Sequence, residues 1–96
     1  MAEDELKLRR QAERGARAKA IVEDPLVKEV FDNLEREIIQ RWKDTEPSNA
    51  LLRERYHAVI TALGAIRANL EHMIRDGRMA DTILAQPKHP NRSKVA

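Results

Sequence analysis

The sequence predicts an all-α fold: an antiparallel, coiled-coil-like helical hairpin with an N-terminal helical arm, assembled into an oligomer. Two long segments carry apolar residues at helical spacing. Only a short break separates them, as in a helical hairpin. The chain of 96 residues has one Phe, one Tyr and one Trp, so a single copy has little with which to build a stable core. We therefore expect oligomerisation.

Composition and charge exclude several classes of protein. The chain has no cysteine, and therefore no disulfide and no thiolate metal site. It has no apolar run of about 20 residues, the length that spans a membrane, and its charged start lacks the apolar region of a signal peptide. We expect a soluble, cytoplasmic protein. Residues 1–20 have six basic and four acidic residues, whereas residues 21–86 have nine basic and twelve acidic residues. These counts predict an acidic body with basic ends.

Residues 1–22 are predicted to form a basic N-terminal helical arm. Acidic residues come first and basic residues follow, the order that the helix dipole favours. The apolar content is mostly alanine and Gly15 weakens the helix, so we expect an arm that frays or needs a partner. It is either a solvated helix or a contact surface for nucleic acid or an acidic protein. The second interpretation assigns that contact to Arg9, Arg10, Arg14, Arg17 and Lys19, with Lys88, Arg92 and Lys94 of the C-terminal tail.

The predicted oligomerisation core, residues 23–78, begins with a clear helix start. Asp24 is a good N-cap and Pro25 suits the first helical position. Helical periodicity then continues to about Lys43, and Pro47 lies in the break that follows. The apolar stripe of this helix has steps of 4, 3 and 4 and consists of Val27, Phe31, Leu34 and Ile38.

The second core helix, predicted over residues 48–76, has the strongest pattern in the chain. Seven apolar residues alternate in steps of 4 and 3, the repeat of a coiled-coil seam: Leu52, Tyr56, Val59, Leu63, Ile66, Leu70 and Met73. Ser48 is the expected cap and Gly77 the expected terminator. Residues 79–96 are predicted to form a short helix over 79–85 and then a disordered basic tail.

A second row on the same helix is a candidate contact with another subunit. Ala58, Ala62, Ala65 and Asn69 recur beside the core line, and small side chains let another backbone approach. The row is either this interface or plain surface with good helix propensity. Trp42 is either the closure of the hairpin end or an interface hot spot. The oligomer interface is therefore assigned to Trp42, Tyr56, Ala58, Ala62, Leu63, Ala65, Ile66, Asn69, Leu70 and Met73.

No constellation of residues predicts catalysis, a cofactor or a metal ion. Glu54 and His57 are three apart, but no second pair completes a metal site. Three arginines near the stripes either bind an anionic substrate, as in a small helical enzyme, or pair with glutamates while their stems cover the core. These are Arg41, Arg55 and Arg67, with Glu35, Glu37 and Glu54 as expected partners. We favour the ion pairs and predict no enzymatic activity.

Residues 20–80 resemble small proteins encoded by tailed bacteriophages, prophages and phage-like particles. The similar elements are the start Asp24-Pro25-Leu26, Phe31, Trp42, the sequence RER at 53–55 and Gly77. The pattern also resembles the oligomerisation core of terminase small subunits, whose helical hairpins form rings that recognise DNA and regulate the large packaging subunit. Many of those subunits have an N-terminal helix-turn-helix, for which residues 1–20 are too short. The resemblance therefore implies DNA contact through basic arms, mainly with phosphates.

These patterns and the resemblance lead to one functional hypothesis and two alternatives. We expect a non-enzymatic, homo-oligomeric phage DNA-packaging or assembly protein that needs no cofactor. It would contact DNA through its basic ends and regulate a larger packaging or structural protein, in the host cytoplasm or in the virion. The first alternative is a protein-binding assembly or regulatory module without nucleic-acid binding. The second is a small helical enzyme, which requires an anion pocket.

Overall fold

Three helices account for nearly all of the part of the chain that the structure, a computed structural model, describes, residues 2–87. Helix α1 is Ala2–Glu23, α2 is Pro25–Asp44 and α3 is Ala50–Ala85. No strand occurs within residues 2–87, so the all-α prediction is confirmed. The predicted tail, with Lys88, Arg92 and Lys94, lies outside the described residues.

Helix α2 begins and ends where the sequence indicates. The Asp24 carboxylate accepts hydrogen bonds from the backbone N–H groups of Leu26 at 2.8 Å and Val27 at 3.2 Å, which satisfies two otherwise unpaired donors of the first turn. Pro25 is the first helical residue. The helix ends at Asp44, and the extended backbone of Thr45 follows.

Helix α3 differs from the prediction at both ends. Its N-cap is Asn49, whose side chain accepts from the N–H of Leu52 at 3.3 Å, so the assignment of Ser48 as the cap is wrong. The helix then continues without a break to Ala85. The prediction that Gly77 terminates it, with a separate helix over 79–85, is also wrong. No glycine in residues 2–87 has a positive φ, so Gly77 is a helical residue with another role.

That role is close packing between α1 and α3. Gly15 and Gly77 are both buried, and a Cβ placed on either would lie 2.7 Å from the Cα of the other. Ala18 and Ala80 extend the contact and are at most 2% exposed. The expectation of a frayed or partner-dependent arm is therefore wrong for α1, because its glycine and alanine pack backbone against backbone on α3. Small residues allow this contact although they offer little apolar area and glycine has a weak helix propensity.

The heptad line of α3 also continues beyond its predicted end. From Met73 the same steps lead to Gly77, Ala80 and Leu84. Large side chains in the first part of the line face α2, and Gly77 and Ala80, the two small residues that follow Met73, face α1. The side chains on this line become small where the helix that packs against α3 changes from α2 to α1. This change makes Gly77 look like a helix terminator in the sequence.

Helices α1 and α2 lie end to end along α3 and antiparallel to it. Gly15 meets Gly77 near one end, Phe31 lies near Arg67 in the middle, and Trp42 lies near Arg53 at the hairpin-like end. The molecule measures 75 × 26 × 20 Å, with a radius of gyration of 21.1 Å. A compact chain of this length has a radius of about 12–13 Å. The fold is therefore a long, two-layered structure.

Few side chains are buried in this shape. The buried apolar residues of the described part are Ala18, Ile74 and Ala80. None of the seven residues on the predicted seam is fully buried, and Val59 and Ile66 remain 42% and 48% exposed. Two layers of helices cover only one side of each apolar stripe.

Candidate interaction surface

On one broad face of the molecule, ion pairs connect α2 and α3. The Arg67 Nη2 donates to Asp32 at 3.2 Å, and the Nε lies 2.8 Å from a carboxylate oxygen of Glu35. The same guanidinium lies 5.2 Å from the centroid of the Phe31 ring. This arrangement agrees with the predicted pairing of the stripe arginines, as does the Arg41–Glu37 pair at 2.7 Å. We call the face that contains Arg67 the closed face.

Arg53 and Trp42 close the hairpin-like end. The Arg53 guanidinium lies 4.9 Å from the Trp42 ring centroid. Its Nη1 also donates to the backbone carbonyls of Trp42 at 3.4 Å and Thr45 at 3.2 Å. A cation near the C-terminus of α2 interacts favourably with the helix dipole, and its hydrogen bonds add to the one that the Trp42 carbonyl accepts from the Thr45 N–H. Trp42 is half-buried, so its contacts within the chain fit the closure of this end.

The face opposite Arg67 is open, and its central part, between α2 and α3, is apolar. The flanks are assigned from residue positions around helices of 3.6 residues per turn. On α2, Val30 and Leu34 lie on the flank away from Asp32. On α3, Ala62 and Asn69 lie on the flank away from Arg67. Because Asp32 and Arg67 pair across the closed face, these other flanks share the opposite side. We call this side the open face.

Most of the exposed large apolar side chains of the described part lie on or beside the open face by helical position, whereas Leu6 and Met79 lie on the outer sides of α1 and α3. Helical position places none of them on the closed face. There are ten of them, between 41% and 66% exposed: Leu6, Ile21, Leu26, Val30, Leu34, Leu51, Val59, Ile66, Met79 and Ile83. A monomer scatters such residues singly, whereas a continuous set marks an interaction surface.

Burial of the apolar centre of the open face would contribute favourably to association. Leu26, Val30, Leu34, Val59 and Ile66 are on average about half exposed. Full burial of one such side chain stabilises by about 1.5–3 kcal/mol, so covering all five contributes roughly 4–7 kcal/mol for each chain. Two chains that cover each other gain roughly twice that, which is comparable with the cost of association of about 4–15 kcal/mol.

The residues predicted for the oligomer interface divide between two sides of α3. Ala58, Ala62, Ala65, Ile66 and Asn69 are exposed and lie on the open face or its edge. The other five are half-buried within the same chain: Tyr56, Leu63, Leu70 and Met73 against α1 or α2, and Trp42 of α2 beside Arg53 of α3. The sequence pattern did not separate these groups, because both follow heptad spacing.

The predicted nucleic-acid contacts on α1 also divide. Arg10, Arg14 and Arg17 are exposed on one flank at steps of 4 and 3, and Lys7 extends the row by a further step of 3. Sequence reasoning missed Lys7, although this spacing indicates it. Arg9 and Lys19 are exposed on the other flank, where Arg9 lies 3.5 Å from Glu5. The five predicted cations therefore do not form a single surface.

Neither a metal site within residues 2–87 nor a related protein identifies a function for this chain. Within residues 2–87, no cluster of three or more His, Asp or Glu side chains has the geometry to hold a metal ion. No helix in that range is long and apolar enough to cross a membrane. No family model matches the chain, and no curated protein or solved structure is significantly similar to it.

Proposed function

We propose that this chain is a non-enzymatic assembly protein that acts by association through its open face. In the setting that the resemblance implies, it is a homo-oligomeric phage DNA-packaging or assembly protein similar to a terminase small subunit, and it regulates a larger packaging partner. The supporting observation is that five half-exposed aliphatic side chains lie by helical position on the open face of an elongated two-layer structure: Leu26, Val30, Leu34, Val59 and Ile66. A third layer of helices buries such a face, as in helical bundles.

The test is the mass of the protein in solution. Sedimentation equilibrium at concentrations from about one to tens of micromolar is expected to give a mass above the 11.1 kDa of one chain. If the burial of apolar surface drives association, the oligomer should persist at high salt, because salt screens charges but does not weaken apolar burial. A single-chain mass at tens of micromolar, with no larger protein bound, would contradict the proposal.

A second candidate activity is phosphate contact with DNA through α1. Lys7, Arg10, Arg14 and Arg17 are exposed in one row along about 15 Å of helix. Such a row binds phosphates without reading bases, so affinity falls steeply with salt. Helix α1 packs on α3 through Gly15, so we describe it as a fixed basic surface and not as a flexible arm.

Charge reversal tests the DNA contact better than deletion of α1, because deletion also uncovers α3. We expect Arg10→Glu with Arg17→Glu to weaken binding to duplex DNA and to reduce the slope of log affinity against log salt by about 2. Arg36→Glu with Lys43→Glu makes the same change of net charge on exposed positions of α2, and should affect binding much less. Equal losses in both variants would mean that binding responds to net charge alone.

A further inference from the structure

We propose that the open face binds the open face of a second copy about a two-fold axis that runs parallel to the helices. This inference rests on the proposed association function and names the partner and the symmetry of the contact. One layer of the molecule is α3 and the other is α1 followed by α2. The parallel axis exchanges the two layers at the same level, so α3 of each copy packs on α1 and α2 of the other. The dimer is then a four-helix bundle in cross-section.

Side-chain sizes in the apolar centre fit this exchange of layers. The Arg67 guanidinium of α3 lies over the Phe31 ring of α2, which sets the level of the two helices. Near this level the open flank of α2 has two large, half-exposed side chains, Val30 and Leu34. The open flank of α3 has mainly small residues beside Ile66: Ala58, Ala62 and Asn69. Exchange places the large side chains of one copy on the small ones of the other, as in knobs-into-holes packing.

The α1 part of the open face is basic, and the same axis brings it to an acidic residue. Arg14 lines a cleft with Asp76 of its own chain, so the two residues lie at one level on different layers. After the exchange, Arg14 of each copy faces Asp76 of the other, and the four charges alternate in sign around the axis. An axis perpendicular to the helices would instead bring Arg14 to Arg41 and Lys43. Charge complementarity therefore selects the parallel axis.

The other cations of the α1 row do not oppose this contact. Arg10 and Arg17 lie further outward on α1 by helical position, and they stay in water at the rim. Lys7 is level with the end of α3, where Ile83 of the other copy offers apolar surface to its stem. The two α1 helices are diagonal in the bundle, about 11–14 Å apart for interaxial distances of about 8–10 Å. Because physiological salt screens charges beyond about 8 Å, the two basic rows repel each other only weakly.

Charges at the hairpin-like end are also compatible with the exchange. Arg55 lies on the open flank of α3 by helical position. On α2, Arg41 and Asp44 line a cleft with Tyr56 of α3. The Arg41 guanidinium is paired with Glu37 at 2.7 Å. Arg55 of one copy therefore meets two carboxylates of the other and one guanidinium that is already paired.

Disulfide formation between two different single-cysteine chains tests the exchange, since the chain has no native cysteine. Val30→Cys places a thiol on α2 and Asn69→Cys places one on α3, both on open flanks and at about the same level. A disulfide needs Cβ atoms within about 4.5 Å, and each position lies across the bundle diagonal from its own copy. We expect a linked dimer when the two variants are mixed and oxidised, and at least tenfold less from either variant alone.

A second pair, Leu34→Cys with Ala62→Cys, checks the level, and Val30→Cys with Ala68→Cys, off the open face, is the control. Links that form equally well in either variant alone indicate that like layers meet. A mixed yield no higher than that of the Ala68→Cys control removes the open face from the contact. Either pattern in a multimer overturns the inference but leaves the proposed assembly function standing, whereas a wild-type chain that is monomeric removes both.

Charge variants provide the second test, because the exchange predicts which of them recognise each other. In the homodimers of Arg14→Glu and of Asp76→Arg, like charges meet twice, so we expect each dissociation constant to rise about fivefold to tenfold at low salt. In the heterodimer of the two variants both contacts are attractive. Contacts inside each chain are the same in all these dimers and cancel in the comparison. Native mass spectrometry of the mixture should show heterodimers well above the half that random pairing gives, and random pairing would refute the parallel axis.

Discussion

The contact between Gly15 and Gly77 leads to the sharpest prediction about the stability of this fold. Replacing Gly77 by alanine adds a Cβ that would lie 2.7 Å from the Gly15 Cα and 3.2 Å from the Gln11 carbonyl oxygen. Non-bonded carbon atoms prefer about 3.5–4.0 Å. Both obstacles are backbone atoms of α1, which no side-chain rotation can move away. Helices α1 and α3 therefore have to separate by close to 1 Å.

The expected cost follows from that separation. A gap of 0.5–1 Å forfeits roughly a quarter to a half of the dispersion energy of the atoms along the contact, and overpacking of a tight contact costs about 1–3 kcal/mol. Alanine regains about 1 kcal/mol of helix propensity over glycine. We expect Gly77→Ala to lower the free energy of unfolding by about 2 kcal/mol, and Gly15→Ala to do the same.

Gly64→Ala is the matched control, because a Cβ at Gly64 meets no atom within 4 Å. This variant gains the propensity without the clash and should stabilise by about 0.5–1 kcal/mol. Urea unfolding followed by circular dichroism, at one fixed protein concentration because association changes apparent stability, measures the difference. With a slope of about 1–2 kcal/mol per molar, the two midpoints should differ by about 1.5–3 M. If Gly77→Ala and Gly64→Ala shift the midpoint in the same direction, the close α1–α3 packing is refuted.

Three further substitutions test other parts of the fold. Ile74, 7% exposed, is the only large apolar side chain buried within residues 2–87, so Ile74→Ala should cost roughly 2–4 kcal/mol in urea unfolding; a cost below 1 kcal/mol would contradict its burial. Asp24→Ala removes the cap of α2 and should cost about 1 kcal/mol, whereas Asp24→Asn, which still accepts hydrogen bonds, should retain most of that stability. Arg67→Met keeps the aliphatic stem but loses the ion pairs to Asp32 and Glu35, which are exposed enough that we expect at most about 1 kcal/mol. That difference should shrink in 1 M salt, and a cost that does not change with salt would mean that packing on Phe31 dominates.

The candidate surface was only partly accessible to sequence reasoning. The alanine row and Ile66 were predicted as interface, and they lie on or beside the open face. Leu63 and Leu70 have the same heptad spacing but turn towards α1 and α2. Spacing identifies which residues share a side of one helix, but not which side a second helix already covers. Only the Arg67 ion pairs, which mark the closed face, show which flanks remain open.

The sequence by itself determined the local structure of this protein. The Asp24-Pro25 start, the end of α2 before Pro47 and the heptad line of α3 depend on residues close together in the chain, through capping, proline geometry and helical spacing. The tertiary structure decided where α3 ends and what α1 does. Gly77 looks like a helix end because glycine is the usual residue there, but a glycine is equally required where two backbones touch. Whether Gly77 ends a helix or packs against another backbone depends on Gly15, 62 residues earlier in the chain. Only the packing of α1 on α3 brings these two glycines together.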